Sequence, residues 1–321
     1  MNNIKNLLKR FFISAKEKIG FPRYLQSRKY AVSYAVKLKN LLGEPNEIIL
    51  ILPTPENLSG QEILSVPELN LKPDMAGREE KYGNNYAVWK LAMKAGEEKE
   101  VKMDFSVKVR PRMAELKKGH EINDYAKDEI YKLYTRSNNL IHPEDEKIKS
   151  LAKKISGAEK DVLKILKAIN SYIVSNLKYG AAIDGLYSDL DALKKPEVDC
   201  GGFSALYASL AMASGIPSRV VSGFWVGYKD NTMHAWAESL LPDGTFIPAD
   251  PATEQLRKMG RTKKFGRFAK IGSDRIILSK GCDLKINAPG GKMIETDILQ
   301  NPIAVAEKGK DSFECSWELN A

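Results

Sequence analysis

The chain holds three cysteines and three histidines in 321 residues, so the candidates for nucleophile and base can be weighed one by one. Cys200 stands where a strongly helical, apolar segment begins. A thiol attacks as its thiolate, and an unperturbed pKa near ~8.5 leaves little thiolate at neutral pH. The unpaired N–H groups and positive dipole end of a helix start favour an anion, which would lower that pKa. Gly201 and Gly202 remove side-chain bulk beside the sulfur and so leave room for a substrate carbonyl. His234 lies in the strand-like run Thr232-Met233-His234-Ala235-Trp236-Ala237-Glu238. Alternation along a strand lets Met233 and Ala235 fill a core while His234 faces a cleft with Trp236 and Glu238. Asp250 ends the next strand-like segment, pinned by Pro251, and an antiparallel neighbour would bring it beside His234. A thiol, an imidazole that takes its proton and a carboxylate that orients the imidazole form the machinery of nucleophilic acyl transfer.

Taken singly, each residue has a plainer reading. A cysteine opening an apolar helix is more often a small buried hydrophobe. A strand histidine is more often structural, and Asp-Pro after a strand is often a turn. Their joint occurrence in this order carries the argument. His120 and His142 sit in polar connector sequence. Cys200, Cys282 and Cys315 are odd in number and widely spaced, which excludes a disulfide framework and a paired zinc site and implies reduced thiols. The isolated histidines and the lack of a phosphate-cradling glycine pattern imply no metal and no organic cofactor.

The elements that must position these groups are readable from periodicity. Ile4, Leu7, Leu8, Phe11 and Phe12 predict an amphipathic helix over 3–19, ending near Gly20 and Pro22. Tyr30 to Leu38, Ile48 to Leu52, Ala87 to Leu91 and Val101 to Val109 read as strands, the last in strict alternation. Residues 113–145 are polar and read as a connector. Helical spacing returns at Ile148–Ile155 and Val162–Leu177, residues 181–199 look irregular, and the helix from Cys200 ends at Gly215-Ile216-Pro217. Strand-like segments follow at 218–221, 232–238, 245–248, 275–278 and 313–317, with an exposed loop expected over 258–270.

The net charge of +9 is concentrated at one end. Residues 1–40 carry ten Lys or Arg against Glu17 alone, and the rest of the chain carries 40 of each sign. A neutral body with a basic leader argues against specific nucleic-acid binding. The leader can make a weak peripheral contact with an anionic membrane through residues 1–40, or pack as a solvated helix on its own protein, which screening by salt favours. No apolar run is long enough to span a bilayer, and Lys9 and Arg10 interrupt any signal-peptide core. The expected compartment is cytoplasmic.

Three segments resemble the transglutaminase-like superfamily. Asp199-Cys200-Gly201-Gly202-Phe203 through Gly215-Ile216-Pro217-Ser218-Arg219 is similar to its cysteine helix and the strand after it. His234-Ala235-Trp236-Ala237-Glu238 resembles its histidine strand, and Ala249-Asp250-Pro251 its aspartate strand. A weaker likeness extends to the helices at 146–179 and to 273–281. The resemblance implies Cys200 as nucleophile, His234 as general base and acid, and Asp250 as orienting carboxylate. It also implies an α+β fold: a papain-like core of helices on an antiparallel sheet, preceded by an antiparallel β domain. The division that follows is a basic helix at 1–24, a β-rich accessory domain at 25–112, a connector at 113–145 and a catalytic domain at 146–321. One departure is Val198, where family members commonly have glycine. The backbone N–H of Cys200 is the expected oxyanion donor, with a side-chain partner, Trp225 or a residue near Tyr179, left open. The substrate class implied is a peptide or protein, attacked at an amide through a Cys200 thioester. Hydrolysis is preferred because water needs no second binding site. Transfer to an amine, as in a protein-glutamine transglutaminase, and a non-catalytic scaffold are the alternatives.

Overall fold

The computed structural model describes residues 23–114 and 119–321; the helix expected over 3–19 lies outside them. The N-terminal part is built from β1 (Arg28–Asn40), β2 (Asn46–Pro53), β3 (Gln61–Ile63), β4 (Glu68–Leu69), β5 (Met75–Arg78), β6 (Asn85–Met93) and β7 (Glu98–Val109). β1 and β7 pair antiparallel from Arg28 opposite Val109 to Lys39 opposite Glu98. Their alternating apolar residues, Tyr30 to Leu38 and Val101 to Val109, are buried while the residues between them, Ala35 apart, are partly or fully exposed, as a period of two requires. The continuous apolar run of β2 is buried on both faces: Ile48, Leu50 and Leu52 enter one core, Ile49 and Ile51 another.

β8 (Arg112–Met113) leads into the segment read as a connector, which contains α1 (Glu129–Leu133). Then come α2 (Glu146–Ser156), α3 (Val162–Asn176), α4 (Asp189–Lys194) and α5 (Cys200–Ala213). β9 (Ser218–Trp225), β10 (Met233–Leu240) and β11 (Phe246–Ala249) precede α6 (Pro251–Lys258). β12 (Gly266–Arg267), β13 (Lys270–Ile271), β14 (Arg275–Lys280), β15 (Leu284–Ala288), β16 (Lys292–Thr296), β17 (Ile303–Ala306) and β18 (Phe313–Asn320) complete the chain. Among the described residues no helix is long and apolar enough to cross a membrane.

The fold is α+β. β11, β10, β9 and β14 form an antiparallel sheet in that order, and α5 lies on it. Phe203, Leu206, Tyr207 and Leu210 of α5 are fully buried against α2, α3 and the sheet. Gly215 ends α5 at φ +80°, a conformation side chains resist. The N-terminal strands form two sheets, β18-β1-β7-β3 with β4 also on β7, and β17-β2-β6-β5. β17 and β18 come from residues the sequence groups with the C-terminal unit, yet they pair with β2 and β1. Phe224 and Ile276 of the second half share a core with Tyr34, Trp89 and Phe105, so β9 and β14 are clamped from behind by the β-rich part.

Two local expectations change. Residues 181–199 include α4, capped by Ser188, and the stretch 258–270 holds β12 with Phe265 and Ala269 buried rather than a fully exposed loop. Asp250 does more than end a strand: it is the N-cap of α6, with Pro251 at the first helical position.

Candidate active site

β10 and β11 pair with Ala237 opposite Ala249, so Asp250 leaves its strand beside the His234–Trp236 stretch. Every oxygen of its fully buried carboxylate is engaged. Oδ1 accepts the Thr253 N–H at 3.0 Å. Oδ2 accepts from His234 Nε2 at 2.9 Å and from Arg275 Nη1 at 2.5 Å. An ionised carboxylate only accepts, so the imidazole proton sits on Nε2 and the lone pair on Nδ1. Burial works against the Asp250 charge, but His234 and Arg275 together hold the carboxyl well below the usual range.

Cys200 is the first residue of α5 and is half-buried at a cleft of about 330 Å³. His234 lines the same cleft, with Tyr179, Ile183, Leu186, Met233, Ile298 and Asn301 among its walls. The cleft therefore joins the cysteine helix to the histidine strand. The backbone N–H of Ala235 favours the Cys200 thiolate against the effect of burial, and Tyr179 is a neighbour of the thiol across the cleft. Gln300 anchors the wall from behind, donating to the backbone carbonyls of Gly223 and His234.

The electrostatics differ from the expected helix-tip stabilisation. Burial pushes the Cys200 thiol up to about 12, and the charges of Asp199 and Asp250 add to the rise. The N-cap adds to the effect of burial: Asp199 accepts from the Gly201 and Gly202 N–H groups and sets a negative charge beside the sulfur. Burial also lowers the His234 pKa against the pull of Asp250, with Arg275 and Lys264 pushing the same way as burial. Both shifts favour the neutral thiol and the neutral imidazole. The two glycines serve packing as well. A Cβ at Gly201 would meet Leu186 Cδ1 at 2.7 Å, and one at Gly202 would meet Val198 Cβ at 2.7 Å.

The His234 ring stacks on Trp225 at 4.4 Å and 26°, and lies 5.9 Å from Trp236. Glu238, on the same face of β10, is fully buried and taken by Arg112 and Arg219, so it stands apart from the chemistry. His120 pairs with Asp243 and His142 with Asp189, both away from this cleft. Cys282 is buried beside Asn138, and Cys315 is exposed on β18. Sequence reasoning missed Arg275. Its one signal was a cation opening the otherwise apolar Ile276-Ile277-Leu278 strand.

A cysteine at the tip of a helix that packs on an antiparallel sheet, with a histidine and a carboxylate on neighbouring strands, is the architecture of a transglutaminase-like core. Residues 149–251 belong to the Transglutaminase-like superfamily, whose sequence profile matches across them. No curated protein matches the chain. Among solved structures, a protein of Cytophaga hutchinsonii provisionally designated a cysteine protease is similar at TM-score 0.55 and 14% identity, over 91% of this chain and 92% of that one. The periplasmic domain of TgpA from Pseudomonas aeruginosa gives TM-score 0.36 at 12% identity, covering 76% of this chain and 93% of that one. A provisionally designated protease from Parabacteroides distasonis gives 0.31 at 15% identity, over 82% and 48% respectively. The Cytophaga likeness spans the β-rich part together with the core, so the whole architecture, not the core alone, is shared.

Proposed function

We propose that the protein is a cysteine-dependent acyl-transfer enzyme that hydrolyses amide or peptide bonds. The observation that carries this reading is the His234–Asp250 pair, 2.9 Å apart, whose histidine lines the cleft that Cys200 also lines. As the Cys200 sulfur attacks the substrate carbonyl, His234 Nδ1 takes the thiol proton, and the C–S bond forms as the carbonyl becomes an oxyanion. Asp199 occupies the N–H groups of Gly201 and Gly202, which leaves the Cys200 N–H as the helix-tip donor for that oxyanion. The imidazolium then protonates the leaving amine, and water attacks the thioester with His234 again as base. Ile183, Leu186 and Ile298 give the cleft apolar walls, which suit a peptide or protein substrate with an apolar side chain near the scissile bond. Water outcompetes other acceptors because no second site is required of it.

The test is an acid-quenched single turnover on casein-derived peptides, read by intact mass. The reading requires an acyl adduct mapped to Cys200 and lost in His234→Ala. New peptide amino termini or released ammonia without added amine then identify hydrolysis, whereas product formation only with a primary amine identifies a transferase. No adduct and no product from any peptide would leave a non-catalytic scaffold.

A further inference from the structure

Asp250 has two cationic or hydrogen-donating partners on one oxygen, and the second is unusual. The Arg275 side chain is 1% exposed, at the start of β14 on the far edge of the catalytic sheet. Its Nη1 reaches Asp250 Oδ2 at 2.5 Å and its Nη2 donates to the Phe265 carbonyl. The guanidinium lies over Trp225 at 4.1 Å, the ring on which His234 stacks, and 5.3 Å from the centre of Trp236. Two indoles and a carbonyl are a suitable environment for a buried guanidinium, which is weakly hydrated and flat. Ile276, the next residue, is locked into the core shared with the β-rich part, so the guanidinium is held by the rigid back of the molecule.

Building on the catalytic reading above, we infer that Arg275 is a positioning residue: it fixes Asp250 as a permanent carboxylate and keeps His234 resting as a neutral imidazole with its proton on Nε2. A lone carboxylate beside a histidine draws a proton onto the ring and stabilises a ready-made thiolate–imidazolium pair. A carboxylate already paired with a guanidinium does so far less. Asp250 then orients the ring, and the proton leaves Cys200 for His234 Nδ1 only as the C–S bond forms. The other charged groups around His234 agree with this. Lys264, from the loop after α6, sits 4.9 Å from the centre of the Trp225 ring and adds positive charge, and Cys200 itself is pushed toward the neutral thiol by burial and then by Asp199. Around Arg275, Asp274 lies 3.7 Å from Nε and is itself bonded by Tyr228, so its charge is shared.

The experiment compares pH profiles of kcat/KM for the full chain, Arg275→Gln and Arg275→Lys. The acid limb reports the free enzyme's base, His234. Removing the guanidinium charge raises the imidazole pKa on two counts, less repulsion and an undivided Asp250. In R275Q the limb therefore moves up by about one pH unit, with a rate loss of roughly tenfold or more. R275K keeps the charge and holds the limb near its original place. A folded R275Q with an unmoved acid limb overturns the inference. A second measurement needs no variant at position 275: nitrogen NMR of the histidine rings, with His234→Ala assigning the signal. At pH 7 the ring should be neutral and protonated on Nε2; an imidazolium persisting to pH 8 overturns the inference whether or not R275Q folds. If the chain turns over no amide at all, the catalytic reading fails, and the same ring signals compared between the full chain and folded R275Q, where the titration should move up by about one pH unit, still decide the role of Arg275.

Discussion

The Asp199 carboxylate lies beside the Cys200 sulfur and accepts the N–H groups of Gly201 at 2.9 Å and Gly202 at 3.3 Å, donors that would otherwise serve a thiolate. The same side chain accepts the Ile183 N–H at 3.2 Å and so ties one wall of the cleft to the helix tip. One residue thus caps the helix, shapes the cleft and opposes ionisation of its neighbour. Its own carboxyl is raised by burial against the pull of those backbone donors.

Asp199→Asn keeps an acceptor for the cap and removes the charge. The Cys200 thiol should then ionise more easily, moving the midpoint of pH-dependent iodoacetamide alkylation at Cys200 down by about one unit. Losing the charged bond to Ile183 should cost about 1 kcal/mol of stability. Peptide mapping of the alkylated cysteine reads the first effect and urea denaturation the second. A midpoint that stays or rises would show that Asp199 acts on the thiol only through helix geometry.

Most of the architecture was open to pattern reading because the signals are strong where burial is one-sided. Val101 to Val109 alternates strictly and forms β7; Ile148 and Ala152 mark the buried stripe of α2. His234 could be placed facing a cleft because strand periodicity fixes its face, and Asp250 could be placed next to it because β11 follows β10 by a short turn. The α6 start was written in Asp250-Pro251-Ala252-Thr253, a capping pattern that reading Asp250 as a strand end obscured. Two features were beyond reach. The return of β17 and β18 to the N-terminal sheets is a matter of long-range pairing, for which their own residues hold no address. The Arg275–Asp250 contact joins residues 25 apart through tertiary packing, and a lone arginine before an apolar strand is ordinarily a surface residue.

Val198 and Gly202 are steric complements. The Val198 side chain fills the space that a Cβ at 202 would need, with contacts of 2.7 Å to its Cβ and 2.9 Å to Cγ2. Both residues are buried, and Val198 bridges to Tyr179 in the cleft wall. Gly202→Ala should therefore destabilise the protein by about 1–3 kcal/mol despite the better helix former. Val198→Gly, which installs the glycine common in transglutaminase-like chains, should cost about 2–4 kcal/mol through the lost side chain and a looser backbone. The double variant removes the clash, so it should be more stable than the sum of the single effects by about 1 kcal/mol or more. Chemical denaturation of the four proteins gives the coupling, and strict additivity would refute the complementarity.

Glu238 offers a test of how the sheet tolerates a buried charge. Burial alone would raise its pKa, but Arg112 and Arg219 outweigh it and hold the carboxyl at about 2. Arg219 grips Oε2 with Nε at 3.1 Å and Nη2 at 2.6 Å, and Arg112 holds Oε1. A carboxyl depressed in the folded state stabilises the fold above its unfolded pKa near ~4.3 and loses that contribution as pH falls toward 2. A depression of this size corresponds to about 3 kcal/mol, of which about half should be gone by pH 3. Glu238→Gln leaves two buried guanidinium groups without their counter-charge, so it should cost about 3–5 kcal/mol at pH 7. The gap from the parent protein should narrow markedly at pH 3, because there the parent is losing the same interaction. Urea denaturation at both pH values measures it; an equal gap at pH 7 and pH 3 would mean that Glu238 matters to the sheet for its shape and hydrogen bonds, with its ionisation playing no part.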